Sequence, residues 1–475
     1  MPPGFLGSKV RISSRVSLVS ARRLTWELPV EVLLQNAATE LWSRVEFLQI
    51  SDMTLSTETL SSIVWPKELK QLVLDADLRG ATMSGVAWPP RLQQLSVRGR
   101  FNQPIAEAAW PASLQQLSFG LKFNQPIVGV TWPPLLQRLL FGRDFNQPIA
   151  GVLWPSSLQQ LSFEDRFNQP LAGVVWPDSL QQLSFGMEFS RPIKGVVWPV
   201  SLQQLSFGRD FNQSINGVVW PPSLLQLSFG GFDRSITGIL WPNSIRKLTF
   251  QYYTQPIAGV VWPESLQELS FGGRFNRPIA DAVWPDSLAK LSLGMEFNQP
   301  IDEVVWPPSL RQVSFGQYFN KPIISVVWPD SLQRLSFEDR FNQPVTGAAW
   351  PDSLQQLSFG AEFNQPIGGV LWPRSLQRLS FGRCFNQPVI ELKLPASVQT
   401  LSFGHRFNQP VIGVEWPASL QQFSFGLDFN QPVAGVSWPA SLKNLSFGRC
   451  FKQPVAGVVW PASLRKLTRG ETSLM

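Results

Sequence analysis

The sequence is poor in the residues on which most catalytic and metal sites depend. His405 is the only histidine among 475 residues, and Cys384 and Cys450 are the only cysteines. No C-x-x-C spacing occurs, which argues against a zinc or other metal site. Most acids stand alone, so neither a nucleophile–base pair nor a carboxylate pair can be named. The sequence predicts a protein that is not an enzyme and that has no cofactor.

Charged residues and long apolar runs are also scarce. Charged side chains make up 15% of the chain, against about 25% in average soluble proteins. No apolar run approaches the roughly 18 residues that a membrane span needs, so we expect a soluble protein without membrane contact.

The positive net charge lies at the two ends of the chain. Of the net charge of +7, +5 lies in residues 1–26 and +2 in residues 461–475, so residues 27–460 are neutral overall. A nucleic-acid-binding array needs a basic stripe along its scaffold. This distribution argues against nucleic acid as a partner.

One short phrase is repeated through most of the sequence. "FNQPIVGVTWP" begins at Phe123 and returns in variants such as "FNQPLAGVVWP" to the end of the chain. Trp-Pro recurs every 22 residues, with one interval of 23 and two of 21. Such a period indicates stacked turns, each of which contacts only its neighbours.

Each turn has two alternating apolar segments. Leu117 and Phe119 flank Ser118, which places the two apolar side chains inward and the serine outward. In the second segment the residue before the Trp varies from Val175 to Lys393, so that position faces water and the Trp faces the core. Frequent prolines exclude a helix from either segment. The sequence predicts an all-β solenoid of about 19 turns with little helix and a short helical N-terminal cap.

The phrase "FNQPI…WPxSLQQLSFG" resembles the FNIP repeat family, whose units belong to the leucine-rich-repeat superfamily. The resemblance covers about residues 62–467. It implies a leucine-rich-repeat-like solenoid with a protein-interaction role and no catalytic residues. The L-x-x-L-x-F strand of each turn is similar to the leucine-rich-repeat strand signature.

Two columns of identical residues have a packing explanation. The Asn after the second Phe, as in Asn124, is expected to form a buried ladder that satisfies backbone groups of the neighbouring turn. The Trp column is expected to pack in the core, since Leu394 replaces one member. Cys384 and Cys450 share one loop slot three turns apart, about 14 Å, which is too far for a disulfide. We expect free thiols and a cytoplasmic, reducing location.

The positions that vary between turns are the candidates for partner binding. They lie between the two Phe residues of each turn, on one edge of the solenoid just past the concave sheet. Stacking does not constrain these side chains, so specificity for a protein partner would reside here. The candidate binding residues are Lys122, Arg143, Asp144, Asp165, Arg166, Glu188, Arg209, Asp210, Tyr318, Asp339 and Arg340.

The ends suggest caps and tails. Residues 1–25 are predicted to be a basic, disordered tail, or alternatively a transit peptide for import into an organelle. Residues 26–61 are predicted to be a helix and strand cap, 62–467 the solenoid and 468–475 a polar C-terminal tail. "LPVEVLL", from Leu28 to Leu34, is loosely similar to the start of an F-box.

Three functions remain open from the sequence. The first is a non-catalytic scaffold that binds a protein through the concave sheet and its variable loop edge. The second is an F-box-like adaptor that recruits substrates to ubiquitin-ligase subunits. The third is a structural repeat array without a specific ligand.

Overall fold

The computed structural model describes residues 10–12, 23–26, 40–470 and 472–473 of the chain. The chain divides into two compact units, Met1–Phe232 (unit 1) and Asp233–Met475 (unit 2). Within each unit the strands pair in parallel with their neighbours in chain order, apart from the last strand of unit 2.

Unit 1 contains eleven described strands and two short helices. Equivalent residues of successive turns face each other, as Gln94 faces Gln116. The elements are β1 (Val10–Ile12), β2 (Arg23–Trp26), α1 (Glu40–Ser43), β3 (Phe47–Thr54), α2 (Thr57–Ser62), β4 (Gln71–Asp77), β5 (Gln94–Val97), β6 (Gln116–Phe119), β7 (Arg138–Phe141), β8 (Gln160–Phe163), β9 (Gln182–Ser184), β10 (Gln204–Phe207) and β11 (Gln226–Phe229).

Unit 2 consists of strands joined by loops, with no helix among its described residues. Its register is the same, as Lys247 faces Glu268 and Gln356 faces Arg378. The strands are β12 (Lys247–Phe250), β13 (Glu268–Phe271), β14 (Lys290–Ser292), β15 (Gln312–Ser314), β16 (Arg334–Ser336), β17 (Gln356–Ser358), β18 (Arg378–Ser380), β19 (Thr400–Ser402), β20 (Gln422–Ser424), β21 (Asn444–Phe447), β22 (Lys466–Arg469) and β23 (Thr472–Ser473).

The strands form where apolar and polar residues alternate. In β6, Leu117 is 1% and Phe119 is 3% exposed, while Gln116 and Ser118 are half-buried on the outer face. Period-2 alternation places successive side chains on opposite faces of a strand. The predicted inward and outward positions of the first segment are confirmed.

Two phenylalanines per turn form continuous columns through the core. The rings of Phe119 and Phe141 lie 5.8 Å apart, and those of Phe123 and Phe145 lie 6.0 Å apart and almost parallel, at 2°. Phe141 and Phe145 of one turn also stack on each other at 4.2 Å. Each added turn therefore buries aromatic surface on the turn before it, which a single unit cannot do alone.

The second segment of each turn also has the predicted orientation. Trp132 is 7% exposed, and its ring lies 6.3 Å from that of Trp154. The residue that precedes the Trp faces water, as Leu153 at 84% and Val175 at 78% exposure show. The Trp column thus packs in the core, although no strand is assigned to this segment in the described turns.

The asparagine ladder exists, but the prediction that it is buried is wrong. Asn124 is half-buried, and its Oδ1 accepts hydrogen bonds from the backbone N–H of Asn146 (2.9 Å) and from Nε2 of Gln147 (3.0 Å). The bond to the next turn holds the loops together at the solvent boundary, where the Phe side chain has already filled the core. The glutamine that follows most of these asparagines is a second member of the ladder.

The ends of the chain differ in part from the prediction. Strands β1 and β2 pair with each other, and β2 pairs with β3, so residues 10–12 and 23–25 are described as strand. The rest of residues 1–25 and the F-box-like segment 28–34 lie outside the described residues. The strand predicted within residues 26–61 is present as β3, and the boundaries of the cap remain a prediction.

The C-terminal segment contains more structure than a polar tail. Strand β22 extends through Thr468 to Arg469, and β23 folds back on it in an antiparallel pair. An added antiparallel strand covers backbone groups that an edge would otherwise expose. Residues 468–469 and 472–473 are therefore strand.

The fold class is confirmed. The nineteen strands β4–β22 correspond to turns of about 22 residues, eight of them in unit 1 and eleven in unit 2. No helix in the part of the chain that the structure describes is long and apolar enough to span a membrane.

Candidate interaction surface

The outer side of the strands is a polar face that is neutral in many turns and charged in others, as at Lys247, Glu268 and Lys290. We call it the strand face; it consists of outward side chains such as Gln116 and Ser118. The Ser118 hydroxyl donates to Ser96 Oγ of the preceding turn at 2.8 Å. The serine column, in which several hydroxyls bond to the next turn, offers a uniform surface and little specificity by itself.

The loop edge consists of the residues between the two Phe residues of each turn. Its first position is Gly in most turns, where a Cβ would collide with the preceding turn, as a Cβ on Gly142 would with the backbone carbonyl of Gly120. Glu164 and Glu338 occupy this position in two turns. The next two positions, Arg143 and Asp144 in the turn of Gly142, project outward. The N–H of Asp144 donates to the carbonyl of Leu121 at 2.9 Å. The backbone is therefore fixed from turn to turn while the side chains vary.

Four of the predicted residues form one ion cluster around Asp144. Its carboxylate accepts from Lys122 Nζ at 2.9 Å and from Arg143 Nε at 3.2 Å, and Arg166 Nη1 lies 3.4 Å away. The Asp144 side chain is only 12% exposed, whereas the three cations are 40–55% exposed. The hydrogen bonds from Lys122 and Arg143 and the charge of Arg166 lower the pKa of Asp144 below its ordinary value, against the opposing effect of burial.

This lowered pKa predicts a pH-dependent contribution to stability. Asp144 stabilises the fold above the pKa of the unfolded chain, about 3.9, and the contribution is lost as the pH falls through the lower folded-state pKa. The partners are largely exposed, so the loss is below about 1 kcal/mol. Urea unfolding at about pH 6 and about pH 3 should show a smaller pH dependence for Asp144→Asn than for the wild type.

The matched control for this prediction is Asp352→Asn, since Asp352 is exposed and has no salt bridge among the described residues. This variant should keep the pH dependence of the wild type. An unchanged pH dependence in Asp144→Asn would show that the cluster contributes nothing to stability.

The remaining candidates are also on the loop edge but do not join this cluster. Arg340 stacks over the ring of Tyr318 at 4.4 Å, and Asp339 accepts from Gln317 Nε2 at 2.8 Å. Burial and the neighbouring charge of Asp165 raise the pKa of Glu164, which lies two residues before Arg166 in the chain. Three further candidates are exposed on the edge of unit 1: Glu188, Arg209 and Asp210.

A recess of about 510 Å³ adjoins the ion cluster in unit 1. The recess is lined by Lys122, Asp144 and Arg166 and also by Arg79 and Arg100. The last two are not among the predicted binding residues. Arg100 stands 22 residues before Lys122, in the same slot of the preceding turn. Extending the column of loop positions back by one repeat from Lys122 would have identified Arg100 as a candidate.

The two cysteines lie on the loop edge of unit 2 as free thiols. Cys384 is half-buried and Cys450 is exposed. Their side chains are available for contact.

The geometry described above defines a leucine-rich-repeat type of β-solenoid. A family model described as the FNIP Repeat matches overlapping segments that together cover residues 123–232 and 253–471. The chain belongs to the FNIP-repeat family. The unmatched residues 233–252 coincide with the shortened turns, in which "FGGFDRS" and "FQYYTQP" replace the usual loop.

Solved structures support the same class. CroV588, described as a novel circular leucine-rich-repeat protein, is 34% identical with a TM-score of 0.79, over 95% of this chain and 70% of that chain. The Toll–Spatzle complex of Drosophila matches at 13% identity and a TM-score of 0.51, over 92% of this chain and 65% of that chain, which shows the fold alone. None of the curated proteins matches the chain by sequence.

Proposed function

We propose that the chain is a non-catalytic scaffold that binds a protein partner through the strand face and the loop edge. The observation that carries this proposal is the contrast between fixed backbone and varied side chains. The N–H of Asp144 and that of Asp210 each bond to a loop carbonyl of the preceding turn, yet the side chains in that slot change sign along unit 1. A rigid frame with variable charged positions suits the recognition of one partner over others.

Membership of the FNIP-repeat family supports this role in general terms, since leucine-rich-repeat solenoids generally serve protein interaction. The free thiols of Cys384 and Cys450 fit a reducing compartment. We propose a cytoplasmic location, with import into an organelle as the alternative.

Affinity capture from a native extract, read by mass spectrometry, tests the proposal. The edge variant carries alanine at Arg143, Asp144, Arg209 and Asp210. The control variant carries Lys393→Ala and Glu415→Ala, exposed charges in the segment before the Trp column. We expect at least one protein to be captured by the wild type and the control, and lost from the edge variant.

Two outcomes would contradict the proposal. Capture of the same proteins at equal levels by all three baits would place the binding surface elsewhere. No reproducible protein on any bait would favour an array without a specific ligand.

A further inference from the structure

The recess on the loop edge of unit 1 has a surplus of positive charge. Arg79, Arg100, Lys122 and Arg166 line it, and Asp144 is the only acid among its lining residues. All four cations are exposed. This local surplus contrasts with the net neutrality of residues 27–460.

The carboxylates of Asp77 and Asp144, which contact these cations, already have salt-bridge partners. Asp77 accepts from Arg79, with Nη2 to Oδ2 at 2.7 Å. Asp144 is divided among Lys122, Arg143 and Arg166. Four cations thus share two carboxylates, and Arg100 has no salt-bridge partner within the described part of the chain. The surplus charge remains open to a ligand.

The cations follow one column of the repeat. Residues 100, 122, 144 and 166 occupy the same slot of four successive turns and read Arg, Lys, Asp, Arg. The column then changes sign at Glu188 and Asp210, which ends the basic stretch. In unit 2 the equivalent slots hold single arginines separated by other residues, as in Arg274, Glu296 and Tyr318. The run of cations is thus specific to unit 1.

Neutral donors complete the recess. Oδ1 of Asn102 and of Asn124 each accept the backbone N–H of the next asparagine, at 2.8 and 2.9 Å. This bond fixes the amide orientation and leaves each Nδ2 group as a donor. Neither Nδ2 has a partner among the described residues, and both asparagines line the recess. Guanidinium, ammonium and amide donors together select a ligand rich in acceptor oxygens.

We propose that this recess binds an acidic segment of the partner protein, an inference that rests on the proposed scaffold function. The column from Arg100 to Arg166 spans about 14 Å at about 4.8 Å per turn. An extended peptide of about five residues covers that length. Nucleic acid fits less well, because the lining includes no aromatic side chain on which bases stack.

Fluorescence anisotropy of a labelled peptide with about six consecutive glutamates tests the proposal at low ionic strength. The same peptide with glutamine in place of glutamate and a short oligothymidylate are the comparison probes. Arg100→Gln/Lys122→Gln removes two exposed charges, and Arg274→Gln/Arg406→Gln removes two exposed charges from the same slot in unit 2.

We expect the glutamate peptide to bind the wild type and the unit 2 variant equally. Arg100→Gln/Lys122→Gln should raise the Kd about tenfold, and added salt should weaken binding to the wild type. Three results would overturn the proposal: no binding of the glutamate peptide to the wild type, equal weakening by both variants, or tighter binding of the glutamine peptide or the oligothymidylate.

The capture experiment separates this proposal from the scaffold function. A partner that is captured equally by the wild type and by Arg100→Gln/Lys122→Gln would retain the scaffold function and overturn the acidic-segment site. The scaffold function fails by itself if no bait captures a protein.

Discussion

Trp220→Ala is expected to lower the free energy of unfolding by about 3–5 kcal/mol, the usual cost of truncating a buried Trp. Trp220 is 7% exposed, and its ring meets Phe229 edge-on at a centroid distance of 6.5 Å. Alanine leaves a cavity between adjacent turns. Close-packed interiors relax only in part to fill such a space, so the lost contacts are not recovered.

Urea unfolding followed by circular dichroism measures this loss. The control is Val219→Ala, because Val219 directly precedes Trp220 in the chain but is 81% exposed. This variant should remain within about 0.5 kcal/mol of the wild type. If the two variants unfold alike, the Trp column does not support the stack.

The periodic features of the fold were predictable from the sequence because the stacking of each turn on the next determines them. Each turn must present the same surface to the next, so the repeat period reveals which residues form a column. Alternation around Ser118 and variation at the position of Val175 then indicate which columns face the core. Both orientations are confirmed by the burial of Phe119 and Trp132.

Other features depend on geometry that spacing does not contain. The burial of Asn124 depends on how far the loop extends past the Phe column. The hydrogen bond of Gln147 to the ladder depends on the rotamer of its side chain. Strands β1 and β2 lack the repeat pattern, so the 22-residue period does not predict them. β2 pairs in parallel with β3 and covers the edge that β3 would otherwise present, and β1 pairs with β2.

The candidate surface was predicted as a list of variable positions, but their grouping was not. Only the structure shows that Lys122 and Arg166, which are 44 residues apart, contact the same carboxylate of Asp144. Arg79 was missed because "LRG" lacks the Phe residues that mark the loop edge in later turns. A charged recess depends on side chains from several turns, whereas a repeat pattern describes each turn alone.

Phe145→Ala is expected to be at least as damaging as the Trp substitution. Phe145 is fully buried and stacks on Phe141 at 4.2 Å, on Phe123 and Phe163 at 6.0 Å, and on Phe167 at 6.2 Å. Truncation of a buried Phe costs about 3–5 kcal/mol, and each lost aromatic pair adds about 0.5–1.5 kcal/mol. The substitution interrupts two columns in three successive turns.

The chain itself supplies the control for this prediction. Leu293 occupies the first Phe position of its turn and is 2% exposed, so leucine is tolerated there, whereas the second position is aromatic in every turn from Phe101 to Phe451. Phe141→Leu should therefore lower the unfolding free energy by clearly less than Phe145→Ala in the same urea experiment. Equal losses would mean that the first position depends on an aromatic ring as strongly as the second does, which would contradict the tolerance inferred from Leu293.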